Sequence, residues 1–388
     1  MNDFISIIFC ACCGILLLLY ILNVNYFLKA WKAETNFSFE AEKVLLSTRV
    51  SIVLAVRNEA EVIENCLSCL VNQNYPKELF EIIVVNDNSS DNTAQIVQDC
   101  IQRHPQVHIR LITLPDALHN FAPKKRALKC GIDNANADFI LTSDADCSMG
   151  RDWIANHVAY YQKTKAKLIV GPVKMKSTQD DSLLNTFQNY DLMSLVASGG
   201  ASLYYHKPLL CNGANLSFEK AAYLNTIQDF EGKKLASGDD MFLMLAIKNK
   251  FPQSIHFLKS SQALVETWPE KNIAALLTQR KRWASKALRY NDSYILSRSL
   301  LIGLTHFALL TTGIISFLNL HFSLLFLLLF LTKFTVDFIF LKRISFFFGE
   351  KISRLKTLYL VFLYPLFILL LLVMGIRKNY IWKDRKLN

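Results

Sequence analysis

Asp138-Phe139-Ile140-Leu141-Thr142-Ser143-Asp144-Ala145-Asp146-Cys147 is the stretch from which the fold can be read. It opens as a short, mostly apolar run suited to a buried strand, and where the run ends two carboxylates stand two positions apart. In extended chain, side chains at i and i+2 leave on one face, so Asp144 and Asp146 can point the same way. Like charges so placed repel unless a cation sits beside them. Mg²⁺ or Mn²⁺ takes few protein carboxylates and fills its shell with water and phosphate oxygens, so the pair suggests a divalent cation holding a diphosphate. The plainer alternative is a polar turn ahead of a helix near Arg151-Asp152-Trp153.

Upstream, strand and helix patterns alternate. Val50-Ser51-Ile52-Val53-Leu54-Ala55-Val56 reads as a strand, residues 60–72 as a helix, and Phe80-Glu81-Ile82-Ile83-Val84-Val85 as a second strand. A helix to residue 103, a strand over 107–114 and a helix over 124–134 complete the run. Short apolar strands alternating with amphipathic helices predict an α/β fold, a mainly parallel sheet covered on both faces. Ligands of such sheets bind at the carboxyl ends of the strands, where Arg57, Asp87, Asp144 and Asp146 all fall. No glycine-rich phosphate loop follows the first strand, and no G-x-x-x-x-G-K-S/T occurs. The phosphates of a bound nucleotide would therefore be held by a metal and by cations, with Lys124 at a helix start as one of them.

The chain has 388 residues, 52% of them hydrophobic, and a formal net charge of +11. The apolar residues concentrate at the ends. Residues 5–24 form a run long enough to span a bilayer, without the basic start and small-residue cleavage site of a removed leader, and read as an anchor. Residues 300–318, 322–341 and 358–376 are three further candidates. Basic residues gather at Lys342, Arg343, Lys351, Arg354 and Lys356, and again at Arg377, Lys378, Lys383, Arg385 and Lys386. The positive-inside rule assigns both clusters to the cytoplasm. Both can be there only if the last apolar run, which contains Pro365, is re-entrant or interfacial; otherwise the basic tail lies on the opposite side. Lys333 and Asp337, four positions apart inside the third run, are expected to pair. Juxtamembrane contact with anionic lipid accounts for the excess positive charge, and no basic stripe interleaved with aromatics indicates nucleic acid. The nine cysteines show no disulfide or zinc spacing; Cys66-x-x-Cys69 stands alone. Gly199-Gly200 and Asn212-Gly213-Ala214-Asn215 read as chain breaks, either plain turns or parts of a pocket wall.

Six segments occur together and in order: Ser51-Ile52-Val53-Leu54-Ala55-Val56-Arg57-Asn58-Glu59; Val84-Val85-Asn86-Asp87-Asn88-Ser89-Ser90-Asp91; Lys124-Lys125-Arg126-Ala127-Leu128; Ser143-Asp144-Ala145-Asp146; Ser237-Gly238-Asp239-Asp240; and Gln279-Arg280-Lys281-Arg282-Trp283. As a set, covering roughly residues 49–290, they resemble the membrane-anchored family 2 glycosyltransferases. These include the cellulose, chitin and hyaluronan synthases and their non-processive relatives, which have the GT-A fold. Trp382-Lys383-Asp384-Arg385 is similar to the W-K-G-R tail of some members. The resemblance implies a membrane anchor over 1–45, a GT-A catalytic domain over 46–295 and a C-terminal membrane region over 296–388.

By the same resemblance Asp87 contacts the nucleotide base, with Arg57 and Glu59 lining that pocket, and Asp146 ligates the metal while Asp144 assists it or reaches the sugar. Asp240 is the general base, with Asp239 beside it, and Gln279, Arg282 and Trp283 lie near the acceptor and diphosphate. Ala55, Asn86 and Asp239 depart from the family's usual proline, aspartate and glutamate, which leaves the roles of the two adjacent acids open. The implied activity is inverting, metal-dependent transfer of a sugar from a UDP- or GDP-sugar to a lipid-linked or glycan acceptor at the cytoplasmic membrane face. A processive polysaccharide synthase and a non-catalytic nucleotide-sugar-binding membrane protein are the alternatives.

Overall fold

The computed structural model describes residues 3–42, 47–114, 122–178, 180, 182–227, 238–287, 289–375, 380–382 and 385–387. Ser237, Arg377, Lys378, Lys383 and Asp384, used in the sequence reading, lie outside them. The chain forms two compact units. One comprises Met1–Ala33, Gln179–Ala197 and Glu270–Lys378, the other Glu34–Thr178, Ser198–Pro269 and Asn379–Asn388. Residues 182–197 and 270–295, which the sequence boundaries assign to the catalytic domain, belong to the first of these.

In the second unit the expected strands form. β1 (Val50–Val56), β2 (Phe80–Asn86), β3 (His108–Thr113) and β4 (Phe139–Ser143) run parallel in the order β3-β2-β1-β4. β1 and β4 are neighbours because the chain leaves β1 in one direction to build β2 and β3 and returns on its other side. The carboxyl ends of β1 and β4 are thus a topological switch point, where such sheets bind ligands. Completing the sequence are β5 (Ser148–Met149), β6 (Leu168–Val170), β7 (Val173–Met175), β8 (Leu216–Glu219), β9 (Ile255–Phe257) and β10 (Val265–Thr267). The main sheet continues from β4 through antiparallel β8 to β6 and β9, and β5, β10 and β7 form a small second sheet. Ile52, Val53, Leu54, Ile82, Ile83, Val84 and Leu141 are fully buried, which is why these strands read as continuous apolar runs rather than alternating ones.

The helices of the chain are α1 (Asp3–Ala33), α2 (Phe39–Glu42), α3 (Ile63–Val71), α4 (Thr93–Arg103), α5 (Pro123–Asp133), α6 (Trp153–Thr164), α7 (Leu183–Tyr204), α8 (Lys220–Ile227), α9 (Asp239–Lys250), α10 (Ile273–Ala287), α11 (Ser293–Ser316), α12 (Leu320–Phe348) and α13 (Arg354–Gly375). α3 begins three residues later than its apolar pattern suggests. Asn58 takes a left-handed conformation (φ 50°) and the backbone N–H groups of Glu59 and Ala60 are held by Thr93 and Asp91, so the chain is still turning there.

Gly199 and Gly200 correct the sequence reading. They lie inside α7 and break nothing. A Cβ on Gly199 would stand 2.8 Å from the Leu210 carbonyl oxygen, and one on Gly200 would stand 2.7 Å from the Phe257 ring. The pair is small so that its neighbours can approach, a packing demand that overrides low helix propensity.

In the first unit, α1, α11, α12 and α13 are long and apolar enough to cross a membrane, over Phe4–Ala33, Ser293–Ser316, Phe322–Phe348 and Arg354–Met374. Cys13, Ala308, Leu309 and Leu329 pack together from α1, α11 and α12, while Leu18, Leu22, Leu300, Leu328 and Leu366 are exposed, as expected of helices that meet lipid. α11 starts earlier than its apolar run because Asp292 caps it, accepting from the backbone N–H of Tyr294 and Ile295. α13 runs unbroken through Pro365. Lys333 and Asp337 form the expected ion pair, and the Tyr20 hydroxyl donates to Asp337.

Candidate active site

The site is built where β1, β2 and β4 end. Arg57 Nη1 donates to the carbonyl oxygens of Asp87 (2.6 Å) and Asn88 (2.9 Å). It therefore shapes the loop after β2, while Glu59 lies in the turn after β1 with its N–H on Thr93. Asp87 is 2% exposed, its N–H donating to Val56 O, and its Oδ1 is 2.7 Å from Arg126 Nη2.

Beyond β4, Lys124 Nζ lies 2.6 Å from Asp144 Oδ1. Asp146 accepts from Thr267 Oγ1 (3.3 Å), which β10 delivers by pairing with β5. Burial, followed by the charge of Asp144, raises the pKa of Asp146. Two neighbouring half-buried carboxylates, both hard oxygen donors, fit a divalent cation whose remaining ligands are phosphate and water.

Asp239 and Asp240 are the first two residues of α9, where the helix dipole favours negative charge. Gly238 precedes them in the left-handed region (φ 79°), a conformation glycine adopts without steric cost. The Ser143 hydroxyl donates to Ala214 O at 2.8 Å and Thr142 Oγ1 to Gly213 O at 3.3 Å, fastening the 213–215 turn to the end of β4. Gly213 N–H then donates to Asp240 Oδ2 at 3.0 Å. Burial and the adjacent Asp239 raise the Asp240 pKa; the Met241 N–H, Lys124 and the Gly213 N–H oppose the rise. Burial works to lower the pKa of Lys124, but Asp144, Asp239 and Asp240 more than offset it and raise it well above the ordinary lysine range.

The structure thus brings Asp144, Asp146, Asp239, Asp240 and Lys124 together, although the two acid pairs are separated by most of a hundred residues of chain. Asn215, at the end of the same turn, is a structural hub. It donates to Pro172 O and Ala263 O and accepts from Trp153 Nε1, with His157 on the same oxygen. Burial pushes the His157 pKa down to about 4, so that ring is neutral. Gln279, Arg282 and Trp283 lie on α10 in the other unit. There Gln279 donates to Glu270 (2.8 Å), and Arg280 pairs with buried Asp191 (2.6 Å) and stacks on Trp283 (4.1 Å to the ring centre). Arg126, Lys125 and Thr267 are parts of the site to which the sequence reading gave no role, and Gly213 joins it from a turn read as either a plain break or a pocket wall.

Models of two families match the chain: Glycosyl transferase family 2 over residues 51–213, and Glycosyl transferase family group 2 over residues 139–374, more than half its length. The chain belongs to the family 2 glycosyltransferases. It is 27% identical over 260 residues to a probable glycosyltransferase, YdaM, of Bacillus subtilis (strain 168), covering 65% of this chain and 58% of that protein. It is 30% identical over 162 residues to a dolichyl N-acetyl-alpha-D-glucosaminyl phosphate 3-beta-D-2,3-diacetamido-2,3-dideoxy-beta-D-glucuronosyltransferase of Methanococcus voltae, covering 41% of this chain and 48% of that one. The chain spans about half the length of these curated relatives. Among solved structures, the mannosyltransferase PcManGT from Pyrobaculum calidifontis, in complex with GDP-Man and Mn²⁺, superposes with a TM-score of 0.57 at 19% identity, over 89% of this chain and 98% of that one. The fold is GT-A, as the sequence resemblance implies.

Proposed function

We propose that this protein is a membrane-anchored glycosyltransferase that passes a sugar from a nucleoside diphosphate sugar to a hydroxyl of a lipid-linked or glycan acceptor, with inversion. The observation that carries the reading is Lys124, placed between the acids after β4 and the acids opening α9. That is where a departing diphosphate and an attacking hydroxyl need opposite kinds of help. Asp240 takes the acceptor proton as the acceptor oxygen bonds to the anomeric carbon, and the bond from that carbon to the diphosphate breaks on the opposite face. Burial and Asp239 strengthen Asp240 as a base. Lys124 offers a cation to the phosphates, and Asp87 with Arg126 marks the end of the cleft that receives the base.

Asp146 and Asp144 would hold Mg²⁺ or Mn²⁺, which would neutralise the departing diphosphate. The complex of the Pyrobaculum calidifontis protein with GDP-Man and Mn²⁺ supports both donor class and cation, and the dolichyl-linked acceptor named for the Methanococcus voltae relative supports a lipid-linked acceptor. The basic cluster Lys342, Arg343, Lys351, Arg354 and Lys356 around the α12–α13 junction supports a cytoplasmic catalytic unit by the positive-inside rule. The four candidate spans among the described residues favour single transfers over extrusion of a polymer.

The test is nucleotide release by the detergent-purified full chain from a panel of UDP- and GDP-sugars, with and without lipid extract. Asp146→Asn is expected to abolish release and to remove Mn²⁺-dependent binding of nucleoside diphosphate; unchanged Mn²⁺ dependence would overturn the metal assignment. Trp283→Ala is expected to lower the lipid-stimulated part of the rate while sparing donor affinity. A collapse of donor affinity with acceptor use intact would reassign Gln279, Arg282 and Trp283.

A further inference from the structure

Lys124, Lys125 and Arg126 all stand in the first turn of α5, where the helix dipole disfavours positive charge. Lys124 and Arg126 are offset by ion pairs with Asp144 and Asp87. Lys125 is the most deeply placed, 4% exposed, where a lysine needs a specific reason to be. Its ammonium lies 4.9 Å from the centre of the Phe242 ring, and its side chain shares a cavity with Asp239, Asp240, Leu128, Phe218 and Leu243. Burial draws the pKa of Lys125 down to about 8, while Asp239 and Asp240 hold it up. The interaction is reciprocal, since an ammonium favoured by two carboxylates favours their ionised form in turn.

We propose that Lys125 is a positioning residue for proton transfer: seated in the cavity that Asp239 and Asp240 line, its ammonium favours the ionised form of Asp240, so that Asp240 serves as a base at neutral pH. This rests on the assignment of Asp240 above. Among the described residues, the groups facing the pair are the Met241 N–H on its own helix, Gly213 N–H on the turn, Lys124 and Lys125 on α5, Cys211 after α7, and Tyr223 on α8. Of these only the two lysines carry charge. Lys124 makes its short contact with Asp144, whereas the carboxylates that act on Lys125 among the described residues are Asp239 and Asp240.

The experiment measures nucleotide release by the full chain, at saturating Mn²⁺ with lipid extract, from about pH 5 to about pH 9. The donor is whichever of UDP-glucose, UDP-N-acetylglucosamine and GDP-mannose the unaltered protein uses best. Lys125→Met replaces the ammonium by an apolar chain of similar length suited to the cavity. It is expected to move the acidic limb of the kcat profile upward by about one pH unit, roughly a tenfold loss on that limb, with the high-pH plateau retained. Lys125→Arg is expected to restore the limb. An unshifted limb, or an equal loss at every pH that arginine does not rescue, would overturn the role of Lys125. If the methionine variant does not fold, Lys125→Gln carries the same two criteria. Asp240→Asn is run in parallel: near-normal turnover in that variant would strike the assignment of the base, whereas its loss together with an unshifted Lys125→Met profile would strike only the inference about Lys125.

Discussion

At the amino end of the parallel strands Glu81 is buried yet fully accommodated, whereas at the carboxyl end Asp146 and Asp240 are held against their ionisation. Glu81 accepts from the Ser51 hydroxyl (2.6 Å), the backbone N–H and side-chain amide of Asn136 (2.7 and 3.0 Å) and Arg110 (2.9 Å). Burial alone would raise its pKa; the Ser51 hydroxyl, the Asn136 backbone N–H and Arg110 outweigh burial and lower it. Asp146 and Asp240 each have an acid neighbour instead, and their pKa values rise. A carboxylate that ties strands together collects donors from several elements. One that does chemistry sits beside a like charge and leaves work for a substrate, a cation or a proton.

Neutralising one acid at each end separates these roles. Asp240→Asn keeps size and hydrogen bonding but cannot take the acceptor proton, so transfer is expected to fall by a factor on the order of 10² or more, with donor binding and thermal stability close to the unaltered protein. Asp239→Asn is expected to be milder. Turnover surviving in Asp240→Asn and vanishing in Asp239→Asn would make the neighbouring acid the base.

Glu81→Gln should do the reverse. It leaves donors from Ser51, Arg110 and Asn136 poorly matched and is expected to cost about 1–3 kcal/mol of stability in denaturant unfolding, with nucleotide release per folded molecule unchanged. The smallest effect is in the pH dependence of stability. The lowered pKa of Glu81 contributes stability that is present above the unfolded value and lost as pH falls through the folded one. The raised pKa of Asp240 works oppositely, since the folded form takes up a proton first and gains stability as pH falls. Glu81→Gln should therefore flatten the acid-side decline of the melting temperature, and Asp240→Asn should steepen it. Identical curves for both variants would erase the distinction between the two ends.

Much of this architecture was legible beforehand. β1 and β2 read correctly because strands buried on both faces are uninterrupted apolar runs, and the carboxyl ends of β2 and β4 carry Asp87 and the pair Asp144 and Asp146. The support around them was not legible. Arg126 meets Asp87 across 39 positions and Thr267 meets Asp146 across 121, and no local pattern encodes such pairings. The charged first turn of α5 was the one available signal, since cations there violate the helix dipole and so call for acids elsewhere. Gly199-Gly200 misled because glycine signals a break and a close approach equally well; the distinction lay in Leu210 and Phe257, which sequence alone does not bring near.

Lys333 and Asp337 have a consequence for how the protein is made. A lone lysine or aspartate at mid-bilayer costs about 2.5–3.5 kcal/mol during insertion. One helical turn apart, the two cancel within a single span, so α12 can leave the translocon as a neutral segment without waiting for another helix. Tyr20, which adds its hydroxyl to Asp337, precedes that residue by 317 positions and enters the bilayer long before its partner is synthesised. The group that must wait is an uncharged phenol, and the charged groups arrive already paired. At no stage of synthesis is a solitary charge from this trio stranded in lipid.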